Sequence, residues 1–453
     1  MKISRTAFIL PLTIIGCSVA LAVAQTPPAP SPPAAPAPSP VRAPIAGRFL
    51  TLDECIGIAL EAQPRIQATL YDYAAARYRV NQAFAPLLPQ LTGSVTAFRS
   101  SSVFLTTSPV DGITRQGVAS RQLADTFLAQ VQLSQLLFDF GKNLAATEAA
   151  RKLAEVAVEN IELQRQLIAL AVKEAYTNTL FAQRLIKVNQ QALDRADLNL
   201  KSSKGFFEVG TRPKSDVVRA EVDVANAKVA LIQAKNALRT ALVALNIAMA
   251  IEVDTPTQIV DNLIFEAVTI DRQAQRAEAL KNRPEYRQAL LQVDAAQATE
   301  RQTFRNFFPD ISGTGSYGGS QQQLNENWTL GLAFTWTLFD GGGRIARYQE
   351  AKANLDGAKA RVRSTELDII QNVEQSEIAV EEAQERIQAA QALVASAQEN
   401  FRLAQGRFDA GVGTILELTD AQLALTQAQS TESQALADYR IARARLDRAV
   451  GRR

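Results

Sequence analysis

Glu417 and Asp420 lie three residues apart, just past the glycine-rich stretch FDAGVGT at 408–414. On a helix they would share one face. Two carboxylates so placed can attract a cation or line an acidic opening, although a solvated helix face would carry the same pair. The rest of the chain speaks against acid–base chemistry. Histidine is absent from all 453 residues, which removes the usual general base, the usual triad member and the commonest zinc ligand. Gly341-Gly342-Gly343-Arg344 resembles a phosphate cradle but lacks the Lys-Ser/Thr of a Walker loop, and it reads as a flexible junction. No catalytic constellation, cofactor loop or metal cluster is legible, and the chain is not expected to be an enzyme.

The elements that position these residues begin with export. Lys2 and Arg5 precede the apolar run from Ala7 to Ile15, and Ala22-Val23-Ala24 has the small-x-small form cut by signal peptidase. Residues 1–24 therefore read as a signal peptide cleaved before Gln25. A second reading makes Cys17, after Ile14-Ile15-Gly16, a lipidated first residue; the apolar SVALAVA that follows favours cleavage. Residues 25–49 are proline-rich and read as an extended linker. Without Lys2 and Arg5, the 48 basic residues become 46 against 46 acidic ones, so no net field recruits nucleic acid. Cys55 is then the one remaining cysteine, and stability has to come from packing or assembly.

The remainder is one unit written twice. Pro64 aligns with Pro284, Pro89 with Pro309 and Gly93 with Gly313; further on, LFDFG at 137–141 aligns with LFDGG at 338–342. FEVGTRPKSDVVRAE at 207–221 likewise aligns with FDAGVGTILELTDAQ at 408–422. The offset shortens between Pro89 and Phe138, so the first copy carries a longer Ser/Thr/Gly-rich connection there. The expected organisation is a first repeat at 50–250, an inter-repeat segment at 251–270 and a second repeat at 271–453. Each repeat holds a helical stretch, two short strands, a very long helix, a glycine turn and a returning helix. Lys142 to Lys204 contains neither Gly nor Pro and would extend roughly 95 Å as a helix. Val373, Val380, Ile387 and Val394 recur every seven residues, with Val172, Thr179, Ile186 and Leu193 at the equivalent places. That period implies a supercoil. The helices alone also suit a structural periplasmic coiled-coil rod.

The strands argue otherwise. In 328–338, Trp328, Leu330, Leu332, Phe334, Trp336 and Leu338 alternate with small or polar residues. The two tryptophans are the only ones in the chain. Eight residues separate them, roughly 26 Å, which suits the ~25 Å apolar band and aromatic girdles of an outer-membrane barrel. Strands are expected near 90–101, 126–138, 310–320 and 327–339. Four cannot close a barrel, and lipid tolerates no open sheet edge, so several chains must contribute.

With LTLDECIGIALEAQPRIQA, AFAPLLPQL, LSQLLFDFGK, FEVGTRPKSDVVRAE, TWTLFDGGGR and RFDAGVGTILELTDAQ in this order, the chain resembles the TolC family of outer-membrane efflux proteins over residues 50 to 450. The resemblance implies a homotrimer whose twelve-stranded β-barrel, four strands per protomer, continues into a long α-helical coiled-coil barrel in the periplasm. It implies a channel for efflux or type I secretion, completed by a periplasmic adaptor protein and an inner-membrane transporter, with outer-membrane lipid around the barrel and no cofactor. Val209, Gly210 and Thr211, with Gly411, Val412, Gly413 and Thr414, would be the tips where the adaptor docks, and Glu417 and Asp420 would line the periplasmic aperture. The first copy has Asp216 and Arg219 there, and Gly413 stands where some members carry an arginine of the closed-state lock. The exported cargo is not written in the chain.

Overall fold

A computed structural model describes residues 47–105, 108–110, 113–115, 119–267, 271–320 and 323–453. The signal peptide, the lipidation alternative at Cys17 and the linker up to residue 46 lie outside the described residues. The linker ends earlier than expected, because Phe49–Leu50 form strand β1, which pairs in parallel with β6 (Gln258–Ile259). The backbone N–H of Gly47 already donates to Pro256.

The order of the remaining elements is α1 (Leu52–Ala62), α2 (Pro64–Phe84), β2 (Gln90–Leu105), β3 (Ser108–Val110), β4 (Ile113–Arg115), β5 (Ala119–Phe138), α3 (Lys142–Glu208) and α4 (Lys214–Ala248). After β6 come α5 (Arg272–Asn282), α6 (Pro284–Arg305), β7 (Asp310–Ser320), β8 (Gln323–Thr335), α7 (Gly343–Asp409) and α8 (Ile415–Val450). Local chemistry sets the boundaries. Thr51 and Glu54 form a capping box at the start of α1. Gln63 and Arg283 are extended because each precedes a proline, which breaks both helical stretches at the same point.

The helices α3 and α7 have 67 residues each, about 100 Å. Along α7 the buried positions Val380, Ala383, Ile387, Ala390, Ala397, Ala404 and Phe408 follow steps of three, four and seven, with the partly buried Val394 and Phe401 in the two gaps of seven. In α8, Leu418, Ala421, Leu425, Ala428, Ala435, Tyr439, Ala442, Leu446 and Ala449 keep the same rhythm. Large residues at one seam position and alanines at the other let the two backbones approach as an antiparallel coiled coil. The first copy keeps its expected register only in its upper part. Val172 and Thr179 are fully buried, but Ile186 and Leu193 are half-buried, and Val188, Ala192, Ala196, Asn199 and Ser203 face inward instead. A straight helix drifts against a seven-residue repeat, and here small side chains take over where α8 packs on α3.

Glu377 interrupts the seam of α7 with a fully buried carboxylate, neither oxygen of which has a hydrogen-bond partner. Burial pushes its pKa up against the pull of Arg272 and Arg276, while Glu381 and Asp271 reinforce the rise. The folded protein therefore holds this proton more tightly than the unfolded chain, and stability falls as pH climbs above the ordinary carboxylate value. In Glu377→Gln that component of the pH dependence should vanish. Thermal melting of the detergent-solubilised protein should show the variant gaining a few degrees over wild type near neutral pH and less in mild acid.

The sheet runs β2-β5-β7-β8, antiparallel throughout. Its register sorts the two faces. Leu91, Leu133, Gly315 and Leu330 form one row, and Gly93, Val131, Tyr317 and Trp328 the next. On the opposite face the rows are Thr92, Gln132, Ser316, Thr329 and Ser94, Gln130, Gly318, Asn327. In these rows one face is thus mainly apolar and the other mainly hydroxyl and amide, while Phe98, Leu128 and Leu136 share the second face and the Arg99–Asp125 pair the first. The strand expected at 327–339 instead ends at Thr335. Its partner at the next step would be Pro309, which has no N–H to donate. Trp336 leaves the ladder, and its indole N–H donates to the Phe307 carbonyl at 3.1 Å. Conversely, β2 and β5 run past the expected limits to Leu105 and from Ala119.

Candidate functional site

Sheet and long helices meet at two matching turns. In the first, the Asp139 carboxylate accepts from the backbone N–H of Gly141 and Asn143, at 2.9 and 2.7 Å. In the second, Asp340 accepts from Arg344 N–H at 2.9 Å. The glycine cluster is therefore a helix start: Gly341 and Gly342 supply left-handed backbone, and Asp340 satisfies the Gly343 N–H with its backbone carbonyl and the Arg344 N–H with its carboxylate. In the first copy Phe140 takes the left-handed position that Gly341 takes in the second. Its ring stacks on Phe308 at 5.0 Å, which offsets the strain.

At the far ends of the long helices lie the two hairpin tips. Val209, Gly210 and Thr211 close the first: Gly210 is left-handed, and Thr211 N–H returns to the Phe206 carbonyl at 2.9 Å. Gly411 is the left-handed residue of the second, where Val412 and Gly413 both return to the Arg407 carbonyl. Thr414 caps α8 by accepting from Glu417 N–H. Val209 and Val412 are each more than two-thirds exposed, so each tip presents a bare valine. Glu417 and Asp420 are exposed on the first turns of α8. Arg407 Nε lies 3.6 Å from Glu417 Oε2, with both side chains largely in solvent, a pair worth about 0–1 kcal/mol.

The two hairpins touch through a polar seam that the sequence reading missed. Thr419 Oγ1 is 2.9 Å from Asp223 Oδ2. Asn199 Nδ2 donates to Gln422 Oε1 at 2.7 Å, and Arg195 reaches Thr426 at 3.4 Å. Arg212 donates to the Gly413 carbonyl at 2.6 Å. The available signal was Arg212 itself, a cation directly after the first glycine turn. Cys55 is buried and free, with its thiol pushed up to about 12 by burial, so it stays protonated and inert. Among the described residues no group of His, Cys, Asp and Glu could hold a metal ion, and no helix is long and apolar enough to cross a membrane.

The sequence model of the outer membrane efflux protein family matches residues 55–250 and 276–452. Nodulation protein T of Rhizobium leguminosarum bv. trifolii is 25% identical over 66% of this chain and 66% of its own length, so the matched stretch spans just under two thirds of that relative. Outer membrane protein TolC of Escherichia coli is 24% identical over 80% of this chain and 74% of its own. Among solved structures, the CmeC outer membrane channel of Campylobacter jejuni superimposes with a TM-score of 0.74 at 19% identity, over 88% of this chain and 85% of that one. This last likeness speaks to the fold.

Proposed function

The chain belongs to the outer membrane efflux protein family, and from that premise we propose that three copies assemble into one conduit across the outer membrane and the periplasm. The family places the protein in the outer membrane, with its helices reaching into the periplasm. The observation that carries the proposal is the sheet: a mainly apolar face backed by a mainly polar one, with β2 and β8 left as open edges. Lipid tolerates no such edge. Joining β8 of one copy to β2 of the next closes twelve strands, with the hydroxyl and amide rows facing a water-filled lumen. Trp328 and Trp336 then bound the outward apolar band formed with Leu330, Leu332 and Phe334. The 67-residue helices continue each wall downward as an α-helical barrel, and the duplicated element order suits two structural repeats joined through 251–270.

At the lower end, Glu417 and Asp420 of three copies place six carboxylates around the narrow aperture. They favour cations and repel one another. The exposed tips at 209–211 and 411–414 are the docking points for a periplasmic adaptor protein, itself tied to an inner-membrane transporter. Engagement draws the second hairpin outward and opens the passage for efflux or type I secretion. Purified protein in planar bilayers tests this reading. Wild type should give discrete cation-preferring channels, and Glu417→Gln with Asp420→Asn should erase most of the preference. Unchanged conductance and preference in the double variant would remove the carboxylates from the constriction, and absence of any channel in wild type would remove the conduit.

A further inference from the structure

We infer that Arg212 is the latch of this channel: a single side chain from the first hairpin turn that holds the second hairpin turn in the closed position. The inference rests on the channel reading and names the residue that regulates it. Three contacts converge on one guanidinium. Arg212 Nη2 donates to the Gly413 carbonyl oxygen at 2.6 Å. Its Cζ lies 4.9 Å from the centroid of the Phe408 ring. Asp216 Oδ2 is 3.8 Å from Nη1, and the Arg212 side chain is only 15% exposed although it sits in the turn between α3 and α4.

The geometry of Gly413 explains why the tie comes from this side. A Cβ at position 413 would meet Arg407 Cβ at 2.9 Å and backbone atoms of Arg407 and Phe408 at 3.0 Å. The second turn therefore has no room for a side chain of its own there, and it offers its carbonyl instead. Gly413 N–H is already committed to the Arg407 carbonyl at 2.8 Å, which ties position 413 to the end of the preceding helix. Phe408, fully buried and edge-on to Phe206 at 5.8 Å, gives the guanidinium a fixed aromatic floor contributed by the opposite hairpin.

Above the turn, the rest of the seam is held less well. Asn199 and Gln422 are both neutral, the Arg195 bond to Thr426 is long at 3.4 Å, and Arg195 Nε and Ser203 Oγ are buried with no hydrogen-bond partner. Parting the hairpins returns those groups to water, which offsets part of what is lost. The Arg212 bond is charge-assisted and, at 2.6 Å, the shortest in the seam. Asp216, one helical turn along the same hairpin, gives the guanidinium a second partner once Gly413 moves away. The arginine thus has two positions with a satisfied charge in each, and a push on the second hairpin selects between them.

The test compares wild type, Arg212→Ala and Arg212→Lys in planar bilayers, with thermal melting of each purified trimer as a control. Arg212→Ala should raise the resting conductance several-fold at unchanged trimer stability, and Arg212→Lys, which keeps the charge but loses the planar fork, should fall between. If the alanine variant does not assemble, the lysine variant is read the same way. Joining the hairpins in Arg212→Ala through Asp223→Cys and Thr419→Cys, with a short bifunctional thiol reagent, should restore the low conductance. Wild-type conductance in an assembled Arg212 variant, or a raised conductance that the cross-link leaves untouched, overturns the latch. Failure of wild type to conduct at all would instead strike the channel reading.

Discussion

Gly318→Val is expected to abolish assembly of the membrane sheet. A Cβ built at this position meets the Ala129 carbonyl oxygen at 2.5 Å and Gln130 Cα at 3.0 Å. Both belong to β5, the strand that β7 pairs with in register from Leu128/Ser320 to Leu136/Ser312. Because the opposing atoms are backbone, no rotamer change relieves the contact, and the strands have to separate. The β5–β7 ladder is also the sheet's one join between the two halves of the chain. The cost should exceed the ~1–3 kcal/mol typical of overpacking against side chains. A nearby control separates this from loss of glycine as such. At Gly315 the nearest atom to a new Cβ is the flexible Leu330 Cδ1 at 3.7 Å, so Gly315→Ala should be tolerated. SDS-resistant oligomer in outer-membrane fractions is the readout: absent for Gly318→Val and near wild type for Gly315→Ala. Normal accumulation of the valine variant would mean that β5 and β7 do not pair in this register.

Those two glycines mark a boundary in what the sequence shows. The alternation in 328–338 displays which face of β8 is apolar, because side-chain direction in a strand follows from position alone. The end of that strand was misplaced because it depends on Pro309, which is remote in the chain and opposite only in three dimensions. The helices divide in the same way. Val373, Val380 and Ile387 announce their seam by period, and the structure buries all three. The lower half of α3 follows its partner α8 rather than its own heptads, so Ile186 and Leu193 mislead. At the tips, glycine and threonine declare turns and a cap, whereas Arg212 looks like any solvated cation until the other hairpin brings Gly413 and Phe408 to it. Period and local chemistry are written in order along the chain, and contacts between the two halves are not.

Tyr176→Ala should be the most damaging single truncation in the helical part, at about 3–5 kcal/mol. Tyr176 is fully buried in α3, and its hydroxyl donates to the Val260 carbonyl at 2.9 Å. Burial pushes the phenol up to about 12, so it remains a neutral donor at any working pH. The segment beyond β6 has little secondary structure of its own, and its backbone carbonyls must be satisfied by something else. Side chains from the helices do so: Tyr176 takes Val260, Arg184 takes Leu263 at 2.7 Å, Arg440 takes Asn262 at 2.9 Å and Tyr439 takes Glu266 at 2.5 Å. Tyr176→Phe isolates one of these bonds, and with the Val260 carbonyl left unpaired it should cost about 1–3 kcal/mol. Limited proteolysis within 251–267 should be fastest for the alanine variant, intermediate for phenylalanine and slowest for wild type. Because these bonds pin the middle of α3 and the C-terminal third of α8, a moving second hairpin would swing about the belt they form. A phenylalanine variant as resistant as wild type would show that packing, and not the captured carbonyl, fixes that pivot.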